Sequence, residues 1–295
     1  MDWDDGKLFL AVARAGQMLG AARTLGINQA TLSRRVSALE AALGTKLLIR
    51  RTNGCELTDE GTAFMATLER VETEFIQARS SLQKADSTVS GTVRIGAPDG
   101  FGVAFLAPRL GLLAERHPDL AIQLVPVPRS FSLSRREADI AVMVGRPEQG
   151  RLVAKKLTDY SLGLYGAVGY LARMPVISEP SDLSQHRLVG YVEDLIFAPT
   201  LNYFGEFLRN WHSQLEISSA IGQLEAVKSG AGIGVLHDYL AQGETGLVAV
   251  LPELSVTRSY WTVYHESLRD VARVQEVVRF LSEVVREASA GFVRD

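Results

Sequence analysis

The chain has 295 residues, 46% hydrophobic and 22% charged, with a net charge of −3; these are values of an ordinary globular protein of two or three domains, not of a disordered chain. A single cysteine excludes an intramolecular disulfide, and no apolar run approaches the roughly 20 residues that a bilayer-spanning helix needs. The acidic start Met-Asp-Trp-Asp-Asp is the reverse of a basic signal peptide, so a soluble cytoplasmic protein with no membrane partner is expected.

Residues 4–15 predict a first helix, with Asp4 or Asp5 as its cap and Leu8, Phe9, Val12 and Ala13 on its inner face. Gly20 to Leu25 is a short, Ala-rich helix. Gly26 suits the left-handed geometry that ends a helix, and Asn28 suits the cap of the next one. Leu32, Val36, Leu39 and Leu43 then recur at helical spacing, opposite a polar face of Gln29, Thr31, Ser33, Arg34 and Arg35. Helix, tight turn, helix reads as a helix-turn-helix whose second helix enters the major groove, first residues nearest the bases. The plain alternative is a helical hairpin with a solvated outer face. Charge favours the first reading. From Arg14 to Arg51 stand Arg14, Arg23, Arg34, Arg35, Lys46, Arg50 and Arg51 against Glu40 alone, a net +6 on an acidic protein. A local basic patch of this kind is the footprint of a phosphate backbone.

Gly44 stops the helix. Leu47–Arg50 reads as a strand, Asn53-Gly54 as a hairpin turn and Cys55–Leu57 as the return strand, a small wing with Arg50 and Arg51 near its base as backbone contacts. Cys55 reads as a small apolar residue, since no second cysteine could resolve an oxidised one. Thr58 caps a helix of about thirty residues, some 45 Å long. Along it Phe64, Leu68, Val71, Phe75, Ala78 and Leu82 step by four and three, the seam of a two-helix coiled coil. The spacing predicts a dimer that sets two heads apart; the alternative is packing on the chain's own body. Lys84 to Gly91 is a polar hinge. The domains are then 1–57, a winged helix-turn-helix; 58–90, the linker and dimerisation helix with its hinge; and 91–295.

From Thr92 strands and helices alternate. Strands are predicted at Val93–Ala97, Ala121–Val127, Asp139–Val144, Leu162–Val168, Leu188–Tyr191, Ile217–Ala220, Leu247–Leu251 and Ser259–His265. Helices are predicted at Phe105–Arg116, Gly169–Arg173, Tyr203–Gln214, Gln223–Ser229, Tyr239–Gln242 and Asp270–Ala288. The pattern is α/β, with a mostly parallel sheet or two sheets, and such sheets bind ligands beyond the carboxyl ends of their strands. Candidate ligand residues in those loops are Asp99, Phe101, Arg129, Ser130, Arg146, Glu193 and Asn202. The arginines suit an anion; Asp99 and Glu193 suit a cation or hydroxyls. Catalysis finds little support. The five histidines are scattered, Gly230-Ala-Gly-Ile-Gly234 follows a helix and lacks dinucleotide spacing, and no phosphate-binding loop occurs. No enzyme, metal or cofactor is expected.

These residues resemble the LysR-type transcriptional regulators. Residues 3–61 carry the N-terminal pattern: Phe9-x-x-Val12-Ala13-x-x-Gly16, Ala21-Ala22-x-x-Leu25, Asn28-Gln29-Ala30-x-Leu32-Ser33-Arg34, Leu39-Glu40-x-x-Leu43-Gly44, Leu47, Arg50 and Leu57-Thr58-x-x-Gly61. Gly91-x-Val93-Arg94-Ile95-Gly96, His117-Pro118, Ala138-Asp139-Ile140-Ala141 and Gly230–Gly234 resemble the family's effector domain more loosely. The resemblance implies a winged helix-turn-helix, a linker helix and a two-lobed effector domain like a periplasmic binding protein. Lobe one would be about 92–160 plus 267–295 and lobe two about 161–266. It implies a dimer or tetramer on promoter DNA, its DNA binding modulated by a small metabolite between the lobes. The sequence departs from the family at Gln17-Met18, at Ala30, at Leu48 and at Asp99; many relatives hold a carboxylate with Ser or Thr at the last, whereas Asp99 would repel one. The alternatives are a DNA-binding regulator that no longer answers an effector, and a cytoplasmic small-molecule binding protein.

Overall fold

The computed structural model describes residues 2–51, 54–83, 89–127, 138–147, 151–196 and 202–294. The chain divides into two compact units at Ser87/Thr88.

The first unit opens with α1 (Trp3–Ala15), capped by Asp2, whose carboxylate accepts the Asp4 N–H at 3.3 Å. α2 (Met18–Leu25) starts two residues earlier than its glycine suggests and ends on Gly26 at φ 66°, where the Ile27 N–H closes back on the Ala22 carbonyl at 3.1 Å. α3 (Gln29–Leu43) follows at once, its first turn capped by the Asn28 side chain, which accepts the Ala30 N–H at 2.8 Å. The three helices bury Phe9, Val12, Ala21, Ala22, Leu32, Val36 and Leu39 against one another.

A two-stranded wing comes next: β1 (Leu48–Arg51) pairs antiparallel with β2 (Gly54–Leu57), Leu48 opposite Leu57 and Arg51 opposite Gly54. Asn53 of the expected turn lies outside the described residues. α4 (Asp59–Gln83) is 25 residues, about 37 Å. Thr58 caps it, its hydroxyl oxygen accepting the Gly61 N–H at 2.9 Å. Gly61 must lack a side chain, because a Cβ there would stand 2.0 Å from the Leu47 carbonyl oxygen.

Two ionic contacts fix these pieces. The Arg14 guanidinium reaches Glu72 at 2.7 Å and Glu69 at 3.5 Å, tying α1 to α4. Glu40, buried on α3, accepts the N–H groups of Leu47 and Leu48 at 3.0 and 3.1 Å and pairs with Lys46 at 2.8 Å. Of the six seam positions, Leu68 is 4% exposed in the head's own core and Phe64 packs beside it, 5.5 Å from the Phe9 ring. Val71 and Ala78 are exposed, and Phe75 is 58% exposed although its ring stacks on Trp3. The Leu82 side chain lies outside the described ones.

The second unit runs β3 (Gly91–Ala97), a wide π-type helix at Gly100–Leu106, α5 (Leu110–Arg116), β4 (Leu120–Pro126), β5 (Ile140–Val144) and β6 (Leu152–Ala167). α6 (Val168–Leu171), β7 (Leu188–Gly190), α7 (Phe204–Phe207), β8 (Leu215–Glu216), α8 (Ala220–Lys228) and β9 (Ile233–His237) follow. α9 (Asp238–Ala241), β10 (Leu247–His265) and α10 (Ala272–Glu287) complete it. The described strands form one sheet in the order β4-β3-β5-β10-β6-β9-β7-β8.

The sheet is not mostly parallel. Both ends are, β4-β3-β5 and β9-β7-β8, but the middle is an antiparallel ladder of β5, β10, β6 and β9. Its two long strands were invisible as single elements. In sequence β6 reads as a strand only over Leu162–Val168; in the structure burial is continuous from Tyr160, and the start of the strand is half solvated. β10 contains Pro252, a strand breaker, and the chain accommodates it as an irregularity between Val250 and Ser255, with Leu251 at φ 47°. The helix expected over Tyr203–Gln214 lasts one turn. Beyond Phe207 the chain leaves it because Gln214 binds β7 instead, its amide oxygen accepting the Leu188 N–H at 2.7 Å and its own N–H donating to the Leu188 carbonyl at 3.1 Å. The segment expected as a strand at Ile217–Ala220 holds Ser219, the cap of α8, which accepts the Gly222 N–H at 3.1 Å.

Burial alone would raise the Glu40 carboxyl, but the Lys46 ammonium and the two backbone N–H groups outweigh it and hold the group below the ordinary glutamate range. A depressed folded-state value stabilises the head above the unfolded-state pKa and loses that stability as pH falls through the folded one. Glu40→Ala should therefore destabilise the head by about 1–3 kcal/mol for each stranded N–H. Thermal melts of the variant should also lose part of the acid sensitivity that the parent shows below about pH 4.3. Equal melting of both proteins at neutral pH would remove Glu40 from this role.

Candidate functional site

Two surfaces collect the residues singled out by sequence, one on each unit. On the head, Gln29 and Arg34 of α3 are exposed and Thr31 and Ser33 half-buried, whereas Leu32, Val36 and Leu39 are buried. Gln29 and Ser33 line an open groove of about 450 Å³ together with Arg50 and Arg51 of the wing. Asn28 is occupied as the α3 cap. A glutamine amide matches the adenine edge and a guanidinium the guanine edge, each in bidentate fashion.

The +6 count overstates the free charge. Three of its cations find partners outside the Arg14–Arg51 window. Arg14 is held by Glu69 and Glu72, Arg51 by Glu56 at 3.2 Å, and Arg35 by Asp5, with Nη2 at 2.6 Å and Nε at 2.7 Å. Lys46 is held by Glu40. Arg50 donates to the Ser37 hydroxyl at 2.9 Å. Among the described residues, Arg23, Arg34 and Arg50 keep no carboxylate partner.

The second surface is a small cavity of about 40 Å³ at the carboxyl ends of strands. Pro98 and Asp99 follow β3, Val127 follows β4, Val144 ends β5, Tyr191 follows β7 and His237 ends β9; all line it. Tyr203, Gln223 and Tyr260 complete the wall with Gly100 and Ala220. Asp99 reaches across to α8, where its Oδ2 accepts the Ser219 hydroxyl at 2.6 Å and the Ile221 N–H at 3.3 Å. A carboxylate there complements the positive end of a helix. Beneath lies an aromatic stack: the Tyr160 ring is 4.1 Å from Tyr260 and 5.2 Å from His237. Burial pushes the His237 imidazole down to about 4 against the opposing pull of Asp99 and Asp238, so the ring is neutral near pH 7. Burial, then the charge of Asp99, pushes the Tyr191 phenol up to about 12, and burial pushes those of Tyr203 and Tyr260 well up, so they are neutral too.

Of the seven ligand candidates, Asp99 lines this cavity. Phe101 does not; it is fully buried, packed on Phe105 at 5.0 Å and Tyr260 at 4.9 Å, and supports the floor from behind. Arg146 is exposed, its guanidinium 5.8 Å over the Trp261 ring. Glu193 and Asn202 are exposed and line no part of the cavity. Arg129 and Ser130 lie outside the described residues. Missed in the sequence were Tyr191, Tyr203, Gln223, His237 and Tyr260. The strand-end rule, applied at every strand instead of to charged loops, finds Tyr191 and His237. Tyr260 sits in mid-strand, where no sequence signal marks it.

Residues 3–62 match the family described as bacterial regulatory helix-turn-helix protein, lysR family, and residues 86–286 match the LysR substrate binding domain. The chain belongs to the LysR family of transcriptional regulators. It is similar to the regulator PtxR of Pseudomonas aeruginosa, 28% identical over 83% of this chain and 80% of the relative, and to DmlR of Escherichia coli, 27% identical over 98% and 96%. A Xanthomonas campestris regulator is 30% identical over 64% of this chain and 55% of its own length. Among solved structures, a full-length Pseudomonas aeruginosa OxyR variant superposes with a TM-score of 0.69, at 16% identity and covering 100% of this chain and 98% of the other. Full-length LysG of Corynebacterium glutamicum, solved with bound effector arginine, gives 0.64 at 18% identity and full coverage of both. These likenesses fix the fold: a helical DNA-binding head, a linker helix and an α/β effector-binding domain. The chain is a DNA-binding transcriptional regulator and not an enzyme. No described helix is long and apolar enough to cross a membrane.

Arg35 is held at both Nε and Nη2 by Asp5, so its first duty is to brace α3 on α1. Arg35→Ala and Asp5→Ala should each lower stability by roughly 1–2 kcal/mol, and the double variant by much less than their sum. Denaturant unfolding of the four proteins measures this. Additive losses, or weaker DNA binding with unchanged stability, would make Arg35 a DNA contact instead.

Proposed function

We propose that this LysR-family regulator reads its operator with Gln29, Thr31, Ser33 and Arg34 of α3, and grips the flanking phosphates with Arg50 and Arg51 of the wing. The supporting observation is the groove that brings Gln29 and Ser33 together with both wing arginines, beside an Arg34 that is exposed and unpartnered. Asn28 contributes by capping α3, and Arg35 by bracing it. The partner is promoter DNA. A small-molecule effector in the cavity at the strand ends modulates that binding, and the active species is a homo-oligomer, a dimer or a tetramer.

The exposed stretch of α4 supports the oligomer. Its lower seam residues, Phe64 and Leu68, serve the head's core, while Val71 and Phe75 are exposed and available to a second copy.

Arg34→Ala should weaken operator binding by about 1–3 kcal/mol while sparing non-specific DNA, because the loss falls on a base contact. Arg50→Ala should weaken both DNAs alike and lower the salt slope by about 1. Competition titrations at two salt concentrations separate the cases; equal losses on both DNAs with Arg34→Ala would reduce it to a phosphate contact.

Val71→Asp should halve the mass measured by light scattering without changing the melting of the head. Leu68→Asp, by contrast, should unfold the head, since it puts a charge in its core. An unchanged mass for Val71→Asp would place the oligomer contact elsewhere.

A further inference from the structure

The cavity at the strand ends is rich in hydrogen-bond acceptors that the protein leaves unused. Asp99 spends Oδ2 on Ser219 and Ile221, but its Oδ1 accepts no hydrogen bond among the described residues. Gln223 is 2% exposed and donates its amide N–H to the Ile217 carbonyl at 2.7 Å; its oxygen Oε1 has no such partner. The Tyr203 hydroxyl, on a side chain only 5% exposed that lines the cavity, also has none among the described residues. Three polar atoms without a protein partner on the wall of one cavity mark a place for a ligand that carries donors.

Their chemistry sets the sign of that ligand. One full negative charge faces the cavity and no described lysine or arginine lines it. Arg258, whose charge is felt at Tyr203, is paired with Glu206. The N-terminus of α8, the feature best able to attract an anion, is already filled by Asp99. The walls are the rings of Tyr191, Tyr203 and Tyr260, and aromatic faces attract cations. A volume of about 40 Å³ holds a head group of a few heavy atoms, given that one water needs roughly 10–15 Å³.

We infer that this cavity receives the cationic head of an organic amine or guanidine, its N–H groups donating to Asp99 Oδ1 and Gln223 Oε1 and its charge lying against the tyrosine rings. Carboxylate ligands are excluded from the same place by Asp99. This rests on the reading that the cavity is the effector site.

Benzylammonium and benzoate, alike in shape and opposite in charge, test it by calorimetric titration of the full-length protein, alongside footprinting on its operator. Benzylammonium should bind saturably to the parent, and at least tenfold more weakly to Asp99→Asn and to Gln223→Leu; benzoate should not bind. Asp99→Asn keeps an acceptor oxygen toward Ser219, and its melting temperature shows whether the domain stays folded; Tyr203→Phe, which removes only a hydroxyl, provides a second variant expected to weaken binding. Benzoate binding that alters the footprint would overturn the cation assignment and leave the effector site standing. Benzylammonium binding undiminished in Asp99→Asn and Gln223→Leu overturns the assignment as well. Failure of both probes to bind the parent, with a footprint indifferent to a mixed pool of metabolites, would overturn the effector reading along with it.

Discussion

The head depends on a buried carboxylate. Glu40 lies on the inner side of α3, where a charge is expensive, and it is kept there by three donors from one short stretch, Lys46 and the backbone of Leu47 and Leu48. Those donors sit where the chain turns from α3 into the wing. The bond set therefore fixes the start of β1 against the helix that carries Gln29 and Arg34. Without that anchor the groove shared by α3 and the wing arginines has no reason to keep its shape, because the wing is a hairpin of four residues a side and such hairpins are marginal alone. Gly61 adds a steric condition at the same point, admitting the Leu47 carbonyl where any side chain would collide.

The helical head was legible in the sequence because each of its signals is local. A glycine in the left-handed region, an asparagine cap and apolar residues at helical spacing all act within a few residues of one another, and each boundary of α1, α2 and α3 falls within about two residues of where those signals put it. Charge pairing is not local. Arg35 meets Asp5, thirty positions earlier, and Arg14 meets Glu72, fifty-eight positions later. A count over a window treats such arginines as free, and the fold shows that four of the seven cations in the window are committed to carboxylates. What is left is narrower than a basic patch: among the described residues Arg34, near the start of α3, is unpaired and Arg50 is committed only to the Ser37 hydroxyl.

In the second unit the short elements were legible and the long ones were not. Local periodicity cannot say that Leu152–Ala167 or Leu247–His265 is one strand, because the first changes from half-solvated to fully buried along its length and the second alternates buried stretches with exposed ones around Pro252. Their continuity comes from pairing with each other over fifteen register positions, a tertiary fact. That antiparallel ladder is what gives the sheet two parallel ends, and the cavity draws its residues from the carboxyl ends of strands in both, β3, β4 and β5 on one side and β7 and β9 on the other. Asp99 and Ser219 join the two sides directly. Searching the loops for charge found Asp99 and passed over its neighbours, since the rest of the wall is neutral: phenols, an amide and an imidazole that burial keeps uncharged.

The α4 stripe shows why a heptad alone does not identify an interface. A residue at a seam position is selected for being apolar, and the selection is the same whether the surface that covers it belongs to this chain or another. What separates the two is exposure once the chain has satisfied itself. Phe64 and Leu68 are claimed by the head, and Arg14 fastens the next turn through Glu69 and Glu72, so the lower half of α4 is part of the domain. Above it Phe75 leaves more than half of its surface exposed even after stacking on Trp3. A second copy seated on that free edge would have its position passed to the head rigidly, because one helix would serve both contacts.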